Sequence, residues 1–310
     1  MQSPSRIPAF PLRRHRSRRG FTLIEIMVAT AVMVVLVGLV IQITSQVLNV
    51  WNRSSGRLAA NAEARIAMDL LTQDLETSVL RSNGQQWLRV EGPETTGGPY
   101  DDQTVALHLF SPALDRPKED NAGNRIPGDI AAIAYRLKFK ESYAGGEDVY
   151  ALYRRIVDAR TTFEDYLGSP GATDSPQLAL TGTTGNADWS EGTVTDNDNY
   201  LASNIVEFKV LFYAEDNSGG SPAAELVNAE ESGLSLKTGS FAVGGNADTV
   251  ITRPLLYAEI FLKVVSDEGL ELLQRFEETG GFGGYDNAED IVREFGETFT
   301  RRVNFMSRPL

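Results

Sequence analysis

Residues 21–41 read Phe-Thr-Leu-Ile-Glu-Ile-Met-Val-Ala-Thr-Ala-Val-Met-Val-Val-Leu-Val-Gly-Leu-Val-Ile, and only Thr22, Glu25 and Thr30 interrupt the apolar run. At 1.5 Å of rise per residue this is about 31 Å of helix, the thickness of a bilayer's hydrocarbon core. Six arginines and no acid stand before it (Arg6, Arg13, Arg14, Arg16, Arg18 and Arg19), and the flank beyond it carries the polar Gln42, Thr44, Gln46 and Asn49 and no charge until Arg53. The positive-inside bias therefore keeps residues 1–20 in the cytoplasm and exports the rest. A cleaved secretory signal fits poorly, because its apolar stretch is shorter and ends at a small-x-small site. The flank Gln42-Ile43-Thr44-Ser45-Gln46 offers none. A plain signal anchor explains the length but not the acid at position 25. A carboxylate in a membrane helix costs about 2.5–3.5 kcal/mol at its centre, less near the interface, and marks a functional position by default.

Charge narrows the partners. With the leader arginines set apart, residues 21–310 hold 23 basic and 42 acidic side chains, a net of −19. Such a surface repels phosphate, so nucleic acid is not an expected partner. There is no cysteine, which excludes a disulfide framework, a thiolate zinc site and thiol catalysis.

The stretch Arg18-Arg19-Gly20-Phe21-Thr22-Leu23-Ile24-Glu25 resembles the prepilin-type processing motif of type IV pilins and type II secretion pseudopilins. The resemblance implies a cut between Gly20 and Phe21 by a prepilin peptidase and methylation of the new Phe21 amine. It also implies an assembly role for Glu25, whose carboxylate pairs with the N-terminal amine of a neighbouring subunit. Each residue type has a physical reason to be there. Glycine leaves the backbone open to the protease, the arginines hold the site at the cytoplasmic face, and pairing offsets the cost of a buried acid.

Past the apolar run the spacing predicts that the helix continues to about residue 82, with Asn83-Gly84 as its stop. Ser54-Ser55-Gly56 is a candidate kink. The stripe Leu58, Ala62, Ile66, Leu70, Leu71, Leu75 and Val79 is expected to face a core, which makes Ile66 and Leu70 core residues. Strands are expected at 105–110, 130–139, 150–157, 205–213, 255–265 and 298–305, with long polar loops at 111–129, 166–199, 214–250 and 276–290. The expected fold is α+β and pilin-like: a long N-terminal membrane-spanning helix packed on antiparallel β-sheet. Its parts are a basic leader (1–20), a transmembrane segment (21–41), an exported helix (42–82) and a globular β-rich domain (83–310).

Five short fragments resemble the minor pseudopilin J subunit of type II secretion. They are Asp69-Leu70-Leu71-Thr72-Gln73-Asp74-Leu75, the pair Ile133-Ala134-Tyr135-Arg136-Leu137 and Ala151-Leu152-Tyr153-Arg154-Arg155, Asn204 to Phe208, and Phe299 to Val303. Residues 51–80 resemble a group of pilin-like proteins of verrucomicrobial gene cassettes. The resemblance implies a non-enzymatic filament subunit acting in protein export. Its leader is cytoplasmic, its single span lies in the inner membrane beside other pseudopilins, and its domain is periplasmic. A minor type IV pilin acting in adhesion or uptake is the alternative.

No cofactor is expected. His108 is the one histidine outside the leader and falls in a strand pattern, which points to packing. Asp196 and Asp198 are the best calcium candidates, as clustered oxygens, but they lack the glycine and distal glutamate of an EF-hand loop.

Overall fold

The computed structural model describes residues 20–80, 87–101, 104–112, 129–141, 146–163, 189–216, 223–226, 234–237, 242–245, 255–281 and 284–305. They fall into two compact units, Met1–Asn52 and Arg53–Leu310. The expected stop at Asn83-Gly84 lies outside the described residues.

One helix, α1 (Leu23–Glu76), contributes to both units. In the first unit it is long and apolar enough to cross a bilayer, and its described side chains are all exposed. Its hydroxyls are already satisfied: Thr30 Oγ1 donates to the Met27 carbonyl at 2.9 Å and Thr44 Oγ1 to that of Val40 at 2.8 Å. A helix in lipid must meet its polar groups internally in this way.

Among the described residues, the second unit holds two antiparallel sheets. The larger has seven strands in the order β5-β4-β3-β2-β1-β8-β9. These are β1 (Leu88–Glu94), β2 (Thr104–Ser111), β3 (Ala131–Glu141), β4 (Asp148–Val157), β5 (Tyr200–Ser203), β8 (Leu234–Lys237) and β9 (Ala242–Gly245). The smaller, β11-β10-β6-β7, is built from β6 (Ile205–Asp216), β7 (Ala223–Leu226), β10 (Leu255–Val265) and β11 (Gly296–Asn304). Alternation explains the smaller sheet: Ala258, Ile260, Leu262 and Val264 point into the core, while Tyr257, Glu259, Phe261 and Lys263 between them are half-exposed. The fold is therefore α+β, with a long apolar N-terminal helix and antiparallel sheets.

Within this unit α1 packs on the sheets through Ala60, Ala64, Ala67, Met68, Leu71 and Leu75. This corrects the expected stripe. Leu71 and Leu75 face the core, but Leu58 and Ala62 are exposed, Leu70 is half-buried and Ile66 is 57% exposed. The packed face is the one lined with alanine, whose small side chains let the helix backbone approach the sheets. α1 runs unbroken through Gly56 and ends at Glu76. Thr77 Oγ1 takes the Gln73 carbonyl at 2.7 Å and Val79 N–H pairs with the Phe110 carbonyl at 2.8 Å, which pulls the chain onto the end of β2.

The polar stretches are more structured than expected. Segment 214–250 contributes β7, β8 and β9. Two helices, α2 (Ala159–Thr161) and α3 (Glu191–Val194), are single turns. Just before α3, buried Trp189 stacks on His108 of β2 with ring centroids 5.3 Å apart. The run 276–290 joins α4 (Asp267–Thr279) to α5 (Ala288–Phe295), two helices that bury Leu270, Leu273, Ile291, Val292 and Phe295 with Val206 and Val265. Gly269 allows this pairing, since a Cβ there would lie 2.7 Å from Phe295 Cβ.

A single residue, Asn204, carries the chain from the larger sheet to the smaller. It adopts φ 60, which asparagine tolerates better than most residues. Its N–H donates to the Tyr150 carbonyl at 2.7 Å, its carbonyl accepts from Val265 N–H at 2.9 Å, and its side-chain amide donates to Asp267 at 2.7 Å.

Candidate functional site

Gly20 and Phe21 lie ahead of the helix, which begins at Leu23. Both are exposed, Phe21 at 81%, and a Cβ on Gly20 would meet nothing within 4 Å. A protease needs such a backbone, free of helical hydrogen bonds and side-chain cover. Glu25 sits in the first turn, three residues after Thr22. The two bond reciprocally, Glu25 N–H to Thr22 Oγ1 at 3.3 Å and Thr22 N–H to Glu25 Oε2 at 3.4 Å. This is a capping box, which satisfies two backbone donors that a helix start leaves open. The Thr-x-x-Glu spacing was visible in the sequence, yet only the assembly role of Glu25 was read from it. The negative charge also lies at the positive end of the helix dipole.

A second cluster joins α1 to the larger sheet. Asp74, on α1, is 3% exposed and receives Arg154 of β4 bidentately, Nε to Oδ2 at 2.8 Å and an Nη to Oδ1 at 3.0 Å. Tyr135 of β3 donates its hydroxyl to Asp74 Oδ2 at 2.5 Å. Burial, followed by the Asp74 charge, raises the Tyr135 hydroxyl's pKa well above its ordinary value. All three residues belong to the fragments that resemble the J subunit, and the fold brings them together. The cluster has charges compensated by full hydrogen bonding, which suits a register lock rather than a reactive centre.

The other sequence candidates are dispersed. The Asp196 side chain accepts from Asp198 N–H at 3.0 Å and caps a short 3-10 turn, Asn197–Asn199. Among the described residues no three His, Cys, Asp or Glu side chains converge to hold a metal ion. His108 is buried in packing against Trp189.

Residues 15–41 match the prokaryotic N-terminal methylation motif. That motif implies processing by a prepilin peptidase and a membrane-anchoring helix. Among curated proteins, no sequence matches the chain. Among solved structures, the chain is similar to a type IV-like pilin from Thermus thermophilus, at 10% identity and a TM-score of 0.33, covering 79% of this chain and 95% of that one.

Proposed function

We propose that this type IV pilin-like chain is a minor pseudopilin: a non-enzymatic filament subunit of a type II secretion-type apparatus, cut between Gly20 and Phe21 and methylated on the Phe21 amine. The observation that carries the reading is the methylation motif over residues 15–41, set at an exposed junction just ahead of a membrane-length helix. The gathering of Asp74, Tyr135 and Arg154 supports the J-subunit resemblance, because fragments matched separately along the sequence meet in one buried cluster. In this reading Glu25 receives the methylated amine of a neighbouring subunit once helices bundle, and the partners are the prepilin peptidase, other pseudopilins and the inner membrane. The leader stays cytoplasmic and the domain is periplasmic.

Mass spectrometry of the chain co-expressed with a prepilin peptidase tests the processing. The expected product begins at a methylated Phe21, and Gly20→Phe should leave the precursor uncut but membrane-bound. A mature chain that begins at Met1, or anywhere past residue 41, would remove the basis of the reading. Export in a strain lacking the chain tests the apparatus: loss of a secreted protein supports a pseudopilin, and loss of adhesion or uptake with export intact supports a minor pilin.

A further inference from the structure

The apolar surface of α1 does not stop at Ile41. Ile43, Val47, Leu48, Val50 and Trp51 are all exposed, Trp51 at 70%. Successive helical residues turn by about 100°, so Ile43, Val47, Val50 and Trp51 share one side of the helix. Gln42, Ser45, Gln46 and Asn49 share the opposite side. No charged residue stands between Glu25 and Arg53, an interval of about 40 Å of helix.

That length decides between two placements. If the hydrocarbon were centred on 21–41, near Ala31, Glu25 would lie about 9 Å from the midplane and Trp51 about 30 Å from it, out in water. We propose instead that the bilayer is centred near Gly38, with Glu25 at the inner interface and Trp51 anchored in the outer one. Each then lies about 20 Å from the midplane, roughly 5 Å outside a core about 30 Å thick. The shift takes the Glu25 carboxylate out of hydrocarbon, together with Phe21, Leu23, Ile24, Ile26 and Met27. It brings in Ile43, Val47 and Leu48 with the uncharged amides of Gln42 and Gln46, the Ser45 hydroxyl and the Thr44 hydroxyl, which is already bonded to Val40. Indole suits the interface, with an apolar body toward the acyl chains and an N–H toward the headgroups. Arg53, the first charge after the span, follows two residues on in the sequence, about 22 Å from the midplane and so at the depth of the lipid phosphates. The occupant of this surface is therefore the outer leaflet. The inference rests on the membrane-anchor reading and adds to it a depth and an anchoring residue.

The tryptophans supply the probe. Trp87 and Trp189 are 3% and 1% exposed, against 70% for Trp51. The full chain is reconstituted in phosphatidylcholine vesicles carrying bromine either high on the acyl chain or near its end. Flotation with the vesicles is read first; failure to float would overturn the anchor reading itself. In chain that floats, high bromines should remove most of the emission that Trp51→Phe also removes, with low bromines and aqueous iodide removing much less. If iodide quenches that emission and bromine does not, Trp51 is in water and the placement is wrong while the anchor stands. Strongest quenching by the low bromines, or no quenching by any agent, would overturn it equally.

Discussion

The Thr22–Glu25 capping box gives Glu25 a local role beside its proposed intermolecular one, and two substitutions separate them. Glu25→Gln keeps a side-chain oxygen for the Thr22 N–H but removes the charge that would draw a neighbour's amine. Glu25→Ala removes both. Filament crosslinking should therefore be lost in both variants, while fraying of the first turn, read by amide exchange, should increase only in the alanine variant. A capping contact of this kind is worth about 0.5–2 kcal/mol. If Glu25→Gln crosslinks like wild type, the charge-pair role is wrong and the cap alone explains the acid. Asn204 can be separated in the same manner. Asn204→Ala places a side chain less tolerant of φ 60 and loses the bond to Asp267, for a combined cost of about 2 kcal/mol in denaturant unfolding. Asn204→Gly relaxes the backbone and loses only the bond, so it should cost about half as much.

Between elements, the heaviest polar contact is the Asp74–Arg154–Tyr135 cluster. Removing one member of a buried ion pair strands the other, at about 3–5 kcal/mol. Asp74→Ala and Arg154→Ala should each cost that much, and the double variant markedly less than their sum. Additive losses in unfolding midpoints would show that the two side chains do not depend on each other. The packed face of α1 is tested by a contrast: Ile66→Asp, 57% exposed, should leave stability within about 0.5 kcal/mol, whereas Ala67→Asp should unfold the domain. This contrast also shows where the sequence misled. Periodicity identifies a helix but not which of two adjacent apolar faces is covered, and the larger side chains of Leu58 and Ile66 outweighed alanine on any hydrophobicity scale. The strands were legible wherever alternation was long, as in β6 and β10. α4 and α5 were missed because the glycines and polar residues of 276–290 gave that run the look of a loop. Their signals were present: Ser266 and Asn287 as N-caps and Gly280, at φ 69, closing α4. The methylation motif over residues 15–41 was fully legible because it depends on consecutive residues. The Asp74 cluster was not, because its members lie as many as 80 positions apart.

At the scale of the whole molecule, several tyrosines tie stability to alkaline pH. Burial pushes the Tyr153 hydroxyl up to about 12 and raises those of Tyr150 and Tyr135 as well. Below about pH 10 these groups are protonated in folded and unfolded chains alike, and their contribution is whole. Between about pH 10 and 12 the unfolded chain releases a proton that folded Tyr153 keeps, so about 2–3 kcal/mol should be lost over that window. Urea midpoints that stay level from pH 9 to 12 would contradict this. The contacts that hold α1 to the sheets are also distributed along its axis. Asn61 bonds Glu297 of β11 at 2.6 Å, Glu63 accepts from Ser203 of β5 at 2.8 Å and 2.7 Å, Asp69 meets Arg301 of β11 at 2.5 Å, and Asp74 holds Arg154 of β4. Successive contacts thus alternate between the two sheets over about 20 Å of helix. A force drawn along the helix from its N-terminal end would load these attachments in shear and together, not one after another as in peeling. The most buried of them, at Asp74, therefore shares the load from the outset, and the helix cannot slide off the sheets without breaking its firmest fastening along with the weaker ones.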